Sequence, residues 1–132
     1  MPVPSFLTAS LYVVLGGGLG AWLRYASGVA MFRVMGPATF PWATLSVNVL
    51  GSLAMGLLAG WLAHYGSHGE GWRLLLGVGL LGGFTTFSAF SLELVLMIER
   101  GAIATAALYA SVSVLAGVAA LFAGLALMRV AA

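Results

Sequence analysis

Gly82-Gly83-Phe84-Thr85-Thr86-Phe87-Ser88-Ala89-Phe90-Ser91 lies in the middle of a long apolar segment. A spanning helix carries Leu, Ile and Val at that depth. Here the chain offers two adjacent glycines, two adjacent threonines and two serines, with rings at Phe84, Phe87 and Phe90. The glycine pair and the β-branched threonine pair both weaken a helix at one point. In hydrocarbon the backbone must satisfy its own hydrogen bonds, so irregular structure survives only inside protein or beside a cavity. The stretch reads as a helix broken near the bilayer midplane, with freed carbonyls and a cluster of hydroxyls. Such breaks mark ion sites.

Composition agrees. The chain has 132 residues, 62% hydrophobic and 6% charged, with mean hydropathy +1.12. A soluble domain carries about 25% charged residues, so this chain reads as an integral membrane protein of one compact domain, residues 1–132. It has no cysteine, which excludes a disulfide framework and a thiolate metal site. A net charge of +2, from five arginines and three glutamates, is too small and scattered for nucleic acid. The first twenty residues faintly resemble a signal peptide. They lack a positive leader and the apolar character continues past Ala21, so they read as part of the first span.

A span needs about 20 apolar residues, and the polar breaks leave four spans, at roughly 6–31, 42–63, 72–98 and 102–128. Between them lie a loop with Arg33, Gly36-Pro37 and Phe40-Pro41-Trp42, a polar turn from His64 to Gly71, and Glu99-Arg100-Gly101. Arginines Arg73 and Arg129 fall on one side of the membrane, and Arg24, Arg33 and Arg100 on the other. Arginine bias sets topology, and here there is almost none. Either the protein inserts both ways up and two copies pair antiparallel, or one arginine or the insertion machinery decides a single orientation. Small residues at four-residue spacing (Gly16 and Gly20; Ser52, Gly56 and Gly60; Gly79 and Gly83) let helices approach closely, within one bundle or against a partner.

Gly16, Gly18 and Ala21 fit a dinucleotide fingerprint, but the first acidic residue after them is Glu70. The motif needs one about 20 positions on, so helix packing is the better reading. Arg24 is either a snorkelling interfacial residue or a vestibule cation that draws anions. Asn48 stands alone among apolar neighbours, with Thr44 a turn before and Ser52 a turn after. A lone Asn is often a packing residue. A row of neutral donors is also what a dehydrated anion needs, because no fixed charge holds it too tightly. Phe87 and Phe90 alone would be a core stripe; beside Asn48 their electropositive ring edges suit a small anion. Glu93, downstream of Ser88 and Ser91, is either interfacial or functional, and Tyr109 and Ser113 are placed to share a polar track with it. His64 and His68 lack a third metal ligand.

Gly-Gly-x-Thr-Thr-Phe-Ser-x-Phe-Ser, Asn48 within Thr44 to Gly51, and Gly18-Leu19-Gly20-Ala21-Trp22-Leu23-Arg24-Tyr25 resemble the Fluc (CrcB) fluoride channels of bacteria across all four spans. The resemblance implies a dual-topology antiparallel homodimer in the inner membrane, with two pores built from both subunits. It implies passive fluoride export, without chemistry, of fluoride that enters the cell as the neutral acid. It matches Asn48 to the pore asparagine and Phe87 and Phe90 to the fluoride-lining rings. Ser88, Glu93, Tyr109 and Ser113 match polar positions of the path. Gly82 and Thr85 match the positions whose carbonyls hold a structural sodium ion on the two-fold axis. Ala89 stands where the family commonly has Thr. Two rivals are a small multidrug-type exporter, which needs an acid that the first span lacks, and an assembly subunit, which leaves the polar break without a purpose.

Overall fold

The computed structural model describes residues 4–64 and 66–131. Four helical segments are long and apolar enough to cross a membrane: Phe6–Met35, Trp42–Leu62, Glu70–Glu99 and Ile103–Val130. No strand occurs among the described residues. Tyr65, in the expected polar turn, lies outside them. The largest departure from the sequence-based boundaries is at the first helix, which continues through Arg33 to Met35. Its stop is Gly36, at φ 68°, whose N–H closes on the Phe32 carbonyl. A left-handed glycine ends this helix where a side-chain charge does not. Gly101, at φ 78°, turns the chain into the fourth span in the same way.

The third span is not one helix. A short α-helical start, Glu70–Trp72, widens into a π-helix over Arg73–Leu81 and returns to α over Gly82–Phe84. The widening shows in the Gly82 N–H, which reaches back five residues to the Gly77 carbonyl. Thr85 (φ −80°, ψ 158°) and Thr86 (φ −151°, ψ 122°) are extended, and a second α-helix runs over Phe87–Glu99. The break is real but sits two residues beyond the glycine pair. Gly83 stays helical because its missing side chain is needed for contact: a Cβ there would lie 2.4 Å from the Gly17 carbonyl oxygen. The β-branched pair, which favours extended backbone, takes the break instead.

Two pairings build the bundle. The first helix lies against the front half of the third span, backbone to backbone. A Cβ on Gly16 would meet the Leu75 carbonyl at 2.2 Å, and one on Gly20 the Leu80 carbonyl at 2.0 Å. The second helix lies against the fourth, where Gly56 faces the Leu121 carbonyl, Gly60 faces Met128 and Gly124 faces the Leu53 carbonyl. The small-residue stripes are therefore consumed inside the chain, the arrangement that dispersion-driven helix association in lipid favours. The back half of the third span closes on the second and fourth helices through side chains instead. Leu45, Phe90, Met97, Ala106 and Tyr109 form the core there. Most other large apolar side chains point outward, as lipid requires.

Candidate functional site

The extended pair at the break is held by one side chain. Asn48 Oδ1 accepts from the Thr86 N–H at 2.7 Å, and Asn48 Nδ2 donates to the Thr86 carbonyl at 3.0 Å. The amide thus pairs with Thr86 as a neighbouring strand would, and it supplies what the break removed from the backbone. Each bond contributes about 0.5–1.5 kcal/mol net, and leaving either group dry costs more. Gly51 makes room beside it, since a Cβ there would lie 2.2 Å from Thr85 Cγ2. The Thr86 hydroxyl then caps the second half-helix by accepting from the Ala89 N–H at 3.2 Å.

The carbonyls of Gly82, Gly83, Phe84 and Thr85 all lose their helical donors in consequence, because the new helix starts only at Phe87. In a continuous helix the Thr86 N–H would serve Gly82, and the Ala89 N–H would serve Thr85. Both amides are diverted, one to Asn48 and one to the Thr86 hydroxyl. Gly82 is exposed and Thr85 half-buried. Hard cations take oxygen ligands such as these. Among the described residues no cluster of His, Cys, Asp or Glu has the makings of a metal site.

Asn48, Ser52, Thr86, Phe87, Phe90 and Ser113 line a cavity of about 320 Å³ that opens on one side of the chain. Phe90 is buried, whereas Phe87 is 79% exposed at the opening. Their ring centroids are 5.8 Å apart and tilted by 44°. The Ser113 hydroxyl is buried without a hydrogen-bond partner, an unmet polar group at the cavity wall. Asn48 has spent its acceptor and one N–H on Thr86, which leaves a donor. The cavity is lined by neutral polar groups and two aromatic rings, and no lining residue carries a fixed charge.

A second cluster adjoins it through Phe90. Glu93 accepts from Thr44 Oγ1 at 2.6 Å and from the Tyr109 hydroxyl at 2.7 Å. The expected row of Thr44, Asn48 and Ser52 is therefore divided. Thr44 turns to Glu93, while Ser52 lines the cavity and donates to the Asn48 carbonyl at 2.7 Å. Ser88 is exposed near the break, 3.5 Å from the Thr86 hydroxyl. Arg24 is half-exposed on the first helix, away from both clusters' hydrogen bonds.

Phe40, in the first loop, was not singled out by sequence reasoning as a site residue. Its ring stands edge-on to Tyr109 at 5.4 Å and 4.6 Å from Trp42. With Phe90 to Tyr109 at 5.1 Å, five rings run unbroken from Phe87 to Trp42. The sequence carries no signal for this, because Phe40 and Tyr109 are brought together only by the packing of the second helix on the fourth.

The family described as CrcB-like protein, Camphor Resistance (CrcB), matches residues 11–125. A protein of Novosphingobium aromaticivorans named fluoride-specific ion channel FluC is 59% identical over 124 residues, which is 93% of this chain and 98% of that one. Proteins of the same name from Caulobacter vibrioides and Rhodospirillum centenum are 54% and 55% identical, covering 90% and 92% of this chain and 94% and 95% of theirs. With this match over nearly its whole length and four apolar spans in place, the chain belongs to the CrcB family.

Proposed function

We propose that this multi-pass protein of the bacterial inner membrane is a fluoride-selective channel that passes the ion down its gradient. The observation that carries this is the cavity at the break, where Asn48 is oriented by Thr86 and stands beside Phe87, Phe90 and the unpartnered hydroxyl of Ser113. The names of the relatives supply fluoride as the ion. Fluoride sheds water against these donors and rests on ring edges, whose attraction is weak enough to release it. Glu93, held by Thr44 and Tyr109, continues the path, and Arg24 enriches anions at a vestibule.

The working unit in this reading is an antiparallel homodimer with two pores. Support comes from the open side of the cavity and from Phe87, a pore ring with most of its surface outside its own chain. A sodium ion on the dimer axis is the natural occupant of the carbonyls of Gly82 and Thr85. Carbonyls without donors cost several kcal/mol in lipid, and both have lost theirs. The ion would be structural: it would be held by main-chain oxygens and would stand in for their missing N–H donors. Efflux of fluoride from liposomes holding purified protein, with chloride as control, tests the reading. Fast fluoride flux that needs no proton gradient is expected. Proton-coupled flux would favour an exporter, and no flux an assembly subunit.

A further inference from the structure

The line of five rings ends at Phe40, and what lies beside that ring suggests a role for it. Tyr109 has no exposed surface. Phe90 stands edge-on to it on the cavity side, and Phe40 stands edge-on to it on the loop side. An ion that moves along Tyr109 toward the first loop meets the Phe40 ring. The loop backbone is pinned: Pro37 and Pro41 fix their own φ, and the Trp42 N–H donates to the Phe40 carbonyl at 2.9 Å. Movement is left to the side chain. Beside the ring is a second cavity of about 200 Å³, which Phe40 itself lines together with Gly28, Met31, Met35, Ala38 and Trp42. An apolar cavity of about 150 Å³ is enough to hold benzene, so a phenyl ring fits.

We propose that Phe40 is a side-chain gate at the loop end of the path. Its ring covers Tyr109 when closed and turns into the cavity under the loop when open. This rests on the channel reading above, and it adds a rate-setting residue outside the motif at the break. Gly28 supplies an independent handle. A Cβ there meets nothing within 4 Å, so Gly28→Leu fills the cavity without disturbing the helix and removes the space the ring needs.

Fluoride efflux from liposomes is measured for the native protein, Phe40→Ala, Gly28→Leu and the double variant, each first shown monodisperse by gel filtration in detergent. Phe40→Ala is expected to conduct severalfold faster and Gly28→Leu at least about tenfold slower. The double variant is expected to match Phe40→Ala, because a filled cavity is irrelevant once the ring is gone. Unchanged rates in both single variants would overturn the gate and leave Phe40 a packing residue. A slower Phe40→Ala would also overturn it, since the ring would then be helping the ion along. If Phe40→Ala does not assemble, Gly28→Leu decides the matter alone: a native rate ends the proposal. Failure of the native protein to pass fluoride would instead sink the channel reading beneath it.

Discussion

The two halves of the third span are held by different means. The front half meets the first helix glycine to carbonyl, with no side-chain hydrogen bond between them among the described residues. The back half is held by side chains: Glu93 between Thr44 and Tyr109, Phe90 against Tyr109, and Asn48 on the Thr86 backbone. Main-chain contact allows almost no adjustment, because nothing flexible lies between the helices. Side-chain contact allows rotation of rings and hydroxyls at small cost. A fixed frame on one side of the break and an adjustable lining on the other is a sensible division where an ion must be both positioned and released.

The largest expected effect is at Gly20, in the fixed frame. Gly20→Leu would place a Cβ about where the Leu80 carbonyl now is, 2.0 Å away. Overpacking a well-filled core costs about 1–3 kcal/mol even when neighbours can shift, and backbone cannot. Loss of monodisperse protein on gel filtration is expected; a folded, conducting variant would show that the front contact is not rigid. Next is Asn48→Asp, in the adjustable half. It loses the donor to the Thr86 carbonyl and sets a like charge beside the anion. That repulsion is about 4 kcal/mol at 4 Å and an effective dielectric of 20, or roughly three orders of magnitude in flux. Assembly is expected to persist, because the glycine frame does not involve Asn48; native flux would take Asn48 out of the path. The mildest is Phe87→Ile. Ring-edge interactions contribute about 0.5–1.5 kcal/mol, so fluoride should pass roughly three- to tenfold more slowly. An unchanged rate would make the ring mere surface.

The same division explains what was legible in the sequence. Four spans followed from composition, since polar loops between apolar runs are a local signal. The break followed too, because the hydroxyls and the β-branched pair lie within ten residues. Its position was less accessible. Gly82-Gly83 looks like the weaker point until Gly17 is found to occupy the space beside Gly83, which is a tertiary fact. Asn48, Phe87 and Phe90 were recognisable as polar or aromatic residues in a telling context, but the two-bond pairing of Asn48 with Thr86 joins positions 38 apart. Helix spacing puts Thr44 in a row with Asn48 and Ser52, whereas its bond goes across to Glu93. Phe40 gave no warning at all, because an aromatic beside proline in a loop reads as an interfacial anchor.

The wide turns of Arg73–Leu81 carry a consequence of their own. A π-turn amounts to a single extra amino acid tucked into an α-helix, and here it falls where Leu75, Gly79 and Leu80 lie backbone to backbone against the first helix. Gaining or losing one position there would swing those residues off Gly16 and Gly20. The residue count of this stretch is therefore as constrained as the glycines it meets.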